Sequence, residues 1–173
     1  MITATPRHTP LPPALPVPTH SVRPARARDA AELAELSRPF VCSGELRERP
    51  ASLFAVHAAD FLVAQAPGCP VEGAVGLRVH PTGSGEGCGA VGVLYNFCVA
   101  GHRQGCGVGA GLLRAALATA RARSLGALFT ATTGGGDLFL RYGFAPTTAR
   151  RAPSSWVDSL DPRRNARILS RAL

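Results

Sequence analysis

The order of apolar and polar residues assigns most elements of this chain. Ser21 to Arg26 reads as a first strand, and Phe61 to Gln65 and Val71 to His80 as two more, separated by the turn Ala66-Pro67-Gly68. Pro81 to Gly89 is a glycine-rich hairpin loop, and Ala90 to Ala100 a fourth strand. The period changes over Val108 to Arg123. There Leu112, Leu113, Ala116, Leu117 and Ala120 form one helical stripe, with Arg114, Arg121 and Arg123 largely off it. Asp29 reads as the N-cap of a helix over Ala30 to Arg38, with Glu32 as its capping-box partner and Leu33 and Leu36 on the buried face. Pro39 to Arg49 reads as a loop and Pro50 to Ala59 as a short second helix. Then follow a strand over Ala127 to Thr133, a short helix over Asp137 to Tyr142, and a strand over Phe144 to Thr148. A short helix over Ser154 to Leu160 and a strand or helix over Ala166 to Leu173 end the chain. Interleaved strands and helices of this kind predict an α/β (α+β) fold.

Length and composition then set bounds. The 173 residues suit one domain with a proper core. Six prolines between Met1 and His20 argue against a helix or central strand there, so residues 1–20 are expected to be a disordered tail ahead of a domain over 21–173. That tail lacks a basic start and an apolar run, and no segment reaches transmembrane length, so neither a signal peptide nor a membrane partner is expected. Five cysteines without a Cys-x-x-Cys pair point to reduced thiols in a cytoplasm, and scattered histidines to no metal. The charge of +8 comes wholly from arginine, since lysine is absent. Dispersed arginines and few aromatics disfavour nucleic acid; attraction of anionic small molecules is the functional reading of the charge.

One motif carries chemistry. The run Gln104-Gly105-Cys106-Gly107-Val108-Gly109-Ala110 lies between the fourth strand and the long helix. Glycine permits positive φ and close backbone approach, and the unpaired N–H groups of a first helical turn attract phosphate. A triphosphate loop would end in Gly-Lys-Ser/Thr, which a chain without lysine cannot supply. A dinucleotide fingerprint needs an acid about 20 residues on, yet no Asp or Glu occurs from Gly87 through Gly136. The pattern Gln-x-x-Gly-x-Gly, read on Gln104, Gly107 and Gly109, fits the pyrophosphate loop of an acyl-CoA transferase.

Further residues support that choice. Asp137-Leu138-Phe139-Leu140-Arg141-Tyr142-Gly143-Phe144 resembles the Phe-Tyr-x-Lys-x-Gly-Phe segment of the GNAT family of N-acetyltransferases, and Asn96-Phe97-Cys98-Val99 stands where that family has a splayed strand. Ser43 to Arg49, Asp60 to Ala64, Phe129 to Thr133 and Pro153-Ser154-Ser155-Trp156 are similar to the short bacterial N-acetylglutamate synthases. The resemblance implies a central mixed, mostly antiparallel sheet flanked by helices, with splayed strands holding acetyl-CoA. It implies transfer of acetyl to the amine of an amino acid or acidic analogue, in a complex of all three components. The partner is then a small-molecule acceptor, and the family allows a homodimer. Two other outcomes stay open: acetylation of an amine or hydrazine intermediate in specialised metabolism, and a degenerate member that senses acyl-CoA.

By the same resemblance Phe97 and Val99 bind the donor, with the Val99 N–H as oxyanion donor, and Gln104, Gly105, Cys106, Gly107, Val108, Gly109, Ala110 and Arg141 serve the CoA phosphates. Phe139 stands at the family's acidic tyrosine, and the family's strand carboxylate is missing. A base then comes from Glu45, Glu48, His57, Glu72 or Glu86, or through a chain of waters, unless the acceptor amine has a low pKa and needs little help; Tyr95 and Cys98 are further catalytic candidates. Alternation places Tyr95 and Phe97 on one face and Asn96 and Cys98 on the other. Arg47 and Arg49 are the expected carboxylate clamp and Thr133 a further substrate contact, since guanidinium matches carboxylate geometry.

Overall fold

Val63, Ala64, Val75, Leu77, Leu94 and Leu128 are all at most 2% exposed. Strands apolar on both sides need cover on both faces of their sheet. The computed structural model describes residues 20–81, 89–134 and 136–173; residues 1–19 of the expected tail, most of the 81–89 loop, Glu86 and Cys88 lie outside the described residues. The described strands are β1 (Ser21–Pro24), β2 (Phe61–Gln65), β3 (Val71–His80), β4 (Val91–Val99), β5 (Ala127–Thr132), β6 (Ala145–Pro146) and β7 (Arg167–Ala172). They form one sheet in the order β1-β2-β3-β4-β5-β7-β6, with every pair antiparallel except β4 and β5.

Helices α1 (Ala30–Cys42) and α2 (Ala51–Val56) cover one face, burying Leu33 and Phe54 against Phe61, Val63 and Ala74. Helix α3 (Val108–Ala122) covers the other with the expected stripe from Leu112 to Ala120, and α4 (Asp137–Arg141) adds Phe139 to that core. Helix α5 (Ser154–Val157) seats Trp156 against Val91, Val93 and Phe129.

Three local readings need correction. Helix α1 continues through Pro39 to Cys42, so the loop starts at Ser43. A proline removes one donor, but the helix end is still closed by bonds from Ser43 N to Pro39 O and from Gly44 N to Val41 O, with Gly44 at φ +77°. Asp29 makes no side-chain cap for α1. Its carboxylate accepts from Arg23 Nη1 at 2.7 Å, Arg23 Nη2 at 3.1 Å and Arg26 N at 2.8 Å, capping the short 3-10 turn ahead of the helix instead. Glu32 is drawn away to Val71 N, at 2.7 Å, and so ties α1 to the start of β3. The strand over 144–148 shrinks to two residues at the sheet edge, with Thr147 N still donating to Ile168 O beyond it and Pro146 at a position whose nitrogen faces away from β7. The end of the chain, left as strand or helix, is strand β7 between β5 and β6.

Two features of β4 shape the site. Its parallel pairing with β5 runs from Gly92–Leu128 to Leu94–Thr130 and stops, although both strands continue. Each keeps its outer partner, β4 through Val99–Gly73 and β5 through Thr132–Arg167, so the inner edges separate. The register with β3 also slips: Ala74 opposes Cys98 but Gly76 opposes Tyr95. Val75 thus faces both Asn96 and Phe97, and Asn96 takes φ +50°. That is a bulge, and asparagine is among the few non-glycine residues that enter this region readily.

The Asp29 contacts predict a pH dependence. The Arg23 hydrogen bond, then the Arg26 N–H, hold the Asp29 carboxyl below its ordinary value. A lowered carboxyl adds stability above its unfolded pKa, and that stability is lost as pH falls through the folded value. Asp29→Asn should therefore destabilise by about 1–2 kcal/mol at neutral pH, with a gap that narrows below about pH 4. Melting temperatures of both proteins at neutral and acidic pH check this; an equal gap at both would contradict it.

Candidate active site

Where β4 and β5 part, a cleft of about 1050 Å³ opens, lined from both sides of the sheet. Its two ends differ in chemistry.

At one end lie Gln104, Gly105, Gly107, Gly109 and Ala110. Gly105 and Gly107 have φ of +75° and +83°, and a Cβ on either would meet nothing within 4 Å, so their glycine character serves the backbone turn and leaves the space in front of it clear. The first bond within α3 is Gly111 N to Gly107 O, at 2.9 Å. The N–H groups of Val108, Gly109 and Ala110 therefore have no partner within the helix. Gln104 Nε2 donates to Val99 O at 3.1 Å, fixing the start of the loop to the end of β4. Ala100 N donates to Glu72 O, so the neighbouring Val99 turns its N–H and C=O away from β3 and toward the opening.

Phe97 and Phe139 meet edge to face at 5.4 Å along this end, and Arg141 and Tyr142 also line it. Two expected loop contacts need correction. The Val108 side chain is fully buried in the core, leaving only its N–H for a ligand, and exposed Cys106 does not line the cleft. The Tyr142 hydroxyl accepts from Arg114 Nη1 at 3.0 Å and is held on α3.

The other end is basic. Arg47, Arg49, Arg78 and Arg164 line it together with His80, Tyr95, Ser155 and Ser159. Arg47 Nη2 donates to Ser159 O at 2.7 Å, and Arg164 Nη2 donates to Gly44 O at 3.0 Å and to Glu45 O. These bonds tie the α1–α2 loop to the segment around α5. Arg47 is thus a tie between walls, whereas Arg49 is half-buried and has no carboxylate partner among the described residues. Burial works against its charge, as do Arg47 and Arg78, while Tyr95 favours it. Thr133 lines the cleft just beyond β5.

Residues 28–144 match the Acetyltransferase (GNAT) family. The chain belongs to that family. An amino-acid acetyltransferase of Pseudomonas fluorescens is 30% identical over 153 residues, spanning 88% of this chain and 34% of that protein. The N-acetylglutamate synthase of Neisseria gonorrhoeae, solved with coenzyme A and N-acetyl-glutamate, superposes with a TM-score of 0.77 at 27% identity, covering 89% of this chain and 35% of that one. A Mycobacterium tuberculosis protein, Rv2747, in complex with CoA and NLQ, shares the fold with a TM-score of 0.72 at 19% identity over 88% of this chain and 99% of its own. This GNAT chain thus spans about a third of the curated relative it matches. Among the described residues no helix is long and apolar enough to cross a membrane, and no group of three or more His, Cys, Asp or Glu gathers as a metal site.

The catalytic candidates fall apart on geometry. Glu48 is exposed and lies outside the cleft, and Glu72 pairs with Arg103 at 3.1 Å. His57 lines only an adjoining pocket. Glu45, Asp137 and Asp161 line the cleft but are exposed, so its interior holds no carboxylate among the described residues. The bulge keeps Asn96 and Cys98 opposite Phe97, as alternation predicts, but moves Tyr95 off the face expected for it. Tyr95, Asn96 and Cys98 turn toward the α1 side, while Phe97 and Val99 pack on the α3 side. Cys98 is 2% exposed and burial pushes its thiol up to about 12, which leaves no thiolate at neutral pH. Tyr95 donates its hydroxyl to Asp60 Oδ2 at 3.0 Å; burial first, then Asp60, raises its pKa, so it keeps its proton. Sequence reasoning missed Arg78, His80 and Asp60. Arg78 and His80 occupy alternate positions on β3, the one signal available. His80 lies 3.4 Å from Ser155 Oγ, and burial and then Arg78 lower its pKa, leaving a neutral imidazole at pH 7.

If the glycine loop holds the donor phosphates, the outcome of Ala110→Glu follows. A carboxylate in the first turn suits the helix dipole, so the fold should keep its melting temperature. The same charge opposes a diphosphate at that turn, and the dissociation constant for acetyl-CoA should rise by about tenfold or more. Calorimetric titration checks it; unchanged affinity would remove the loop from the donor site.

Proposed function

We propose that this chain transfers acetyl from acetyl-CoA to the amine of a small acidic amino acid or a close analogue, as an N-acetylglutamate synthase does, with donor and acceptor bound together. The carrying observation is Arg49, a half-buried guanidinium at the cleft with no carboxylate partner among the described residues. A cation taken from water without an anion is unfavourable, and an acceptor carboxylate supplies the missing partner in planar, two-point geometry. The N-acetyl-glutamate held by the Neisseria gonorrhoeae relative supports the same acceptor class.

The reaction needs few groups. The neutral amine attacks the thioester carbonyl, and the Val99 N–H meets the oxyanion that forms. Collapse of that intermediate breaks the C–S bond. Phe139 offers no proton, so the leaving thiolate takes one released by the attacking nitrogen. His80, neutral and facing the cleft, is the group suited to remove the ammonium proton beforehand. A second reading rests on the lack of an interior carboxylate among the described residues: weakly basic amines such as hydrazines or anilines reach the neutral form unaided.

Free-thiol release from acetyl-CoA with acidic, neutral and basic amino acids, hydrazines and anilines separates these readings. Acidic amino acids should react best. Arg49→Ala should raise their KM by about tenfold or more, with the acetyl-CoA KM within about twofold. Arg49→Lys should restore only part, since ammonium lacks the planar fork. A best acceptor without a carboxylate would sink the assignment, and donor binding without turnover would make the chain a sensor.

A further inference from the structure

Tyr95 takes no part in the transfer chemistry, yet its ring is fixed on several sides. Its hydroxyl donates to Asp60 Oδ2 at 3.0 Å. Phe61 meets its edge at 5.2 Å. Gly76 lies beneath it: a Cβ there would come within 2.5 Å of the ring. On this ring rest two guanidinium groups, Arg49 with Cζ 5.2 Å and Arg78 with Cζ 5.1 Å from the centroid. Arg78 also pairs with Asp60 at 3.3 Å, so its charge is offset within the protein. Arg49 rests on the ring with no ion-pair partner among the described residues.

We propose that Tyr95 is the positioning residue that holds Arg49 at the cleft for an acceptor carboxylate; this rests on the acidic-acceptor reading above. The physical reason is the geometry of a planar cation. A carboxylate used to hold Arg49 would occupy its in-plane donors. An aromatic ring engages the face of the guanidinium and leaves the N–H fork free for substrate. Asp60 orients the hydroxyl and offsets Arg78, whose like charge would otherwise push Arg49 from the shared ring. His57, with Nδ1 at 3.9 Å from Asp60 Oδ2, and Arg47 and Glu48 of the preceding loop line the same pocket beside the stack.

A double-mutant cycle on full-length protein tests this, with acetyl-CoA and both an acidic and a neutral amino acid as acceptors. Tyr95→Leu should raise the acidic-acceptor KM by about threefold to thirtyfold, leaving the acetyl-CoA KM near wild type as a check on folding. Tyr95→Phe keeps the ring and should restore most of the loss. In an Arg49→Ala background, Tyr95→Leu should add little, since the guanidinium it positions is gone. A wild type that prefers acidic acceptors, combined with an unchanged KM in Tyr95→Leu or with fully additive effects, overturns the proposal alone. So does Tyr95→Phe as damaged as Tyr95→Leu. A wild type indifferent to acceptor charge fails the acidic-acceptor reading and takes this proposal with it.

Discussion

β4 and β5 exchange hydrogen bonds only as far as Leu94 and Thr130, and beyond that point each strand holds only its outer neighbour. Backbone groups freed in mid-sheet need partners, and a ligand can supply them. The Val99 N–H faces this gap, and the first turn of α3 opens beside it, reached through a loop that Gln104 fastens to the Val99 carbonyl. The proposed donor site is thus an interruption in a sheet, backed by a helix start. Such a site would need almost no side chains, which suits a run so rich in glycine.

The bulge at Asn96 divides labour across the sheet. Asn96 turns toward α1, where its Nδ2 donates to Ser37 Oγ at 3.0 Å and Ser37 Oγ donates to Leu33 O at 2.8 Å. Phe97 and Val99 consequently reach the α3 side, next to the loop, while Tyr95 stays on the α1 side with the arginines. One extra residue in one strand separates the aromatic, glycine-loop end of the cleft from its basic end. The arginine bonds from Arg47 and Arg164 to carbonyls then close the basic end by joining two loops distant in sequence.

Local pattern revealed the elements well where one period held for many residues. The span of β3, the stripe of α3 and the glycine loop were all legible. The ends of elements were less so. Pro39 looked like a stop, but the turn that ends α1 lies at Gly44, and Asp29 looked like a helix cap because the pull of Arg23 from β1 is not a local feature. The bulge had one signal, an asparagine within an apolar strand, and missing it set Tyr95 on the face of Phe97 instead of that of Cys98. Arg49 was visible as a cation before a helix. Its setting was not, because Arg78, Asp60 and Gly76 reach Tyr95 only through strand pairing and the turn before β2.

A crystal structure of the complex with coenzyme A and N-acetyl-glutamate tests the central claim most directly, since it locates both ends of the acyl transfer at once. The account predicts the diphosphate at the N–H groups of Val108 to Ala110, the acetyl carbonyl facing the Val99 N–H, and a carboxylate on the in-plane donors of Arg49. A carboxylate lying elsewhere in the cleft, with Arg49 turned to solvent, would contradict it.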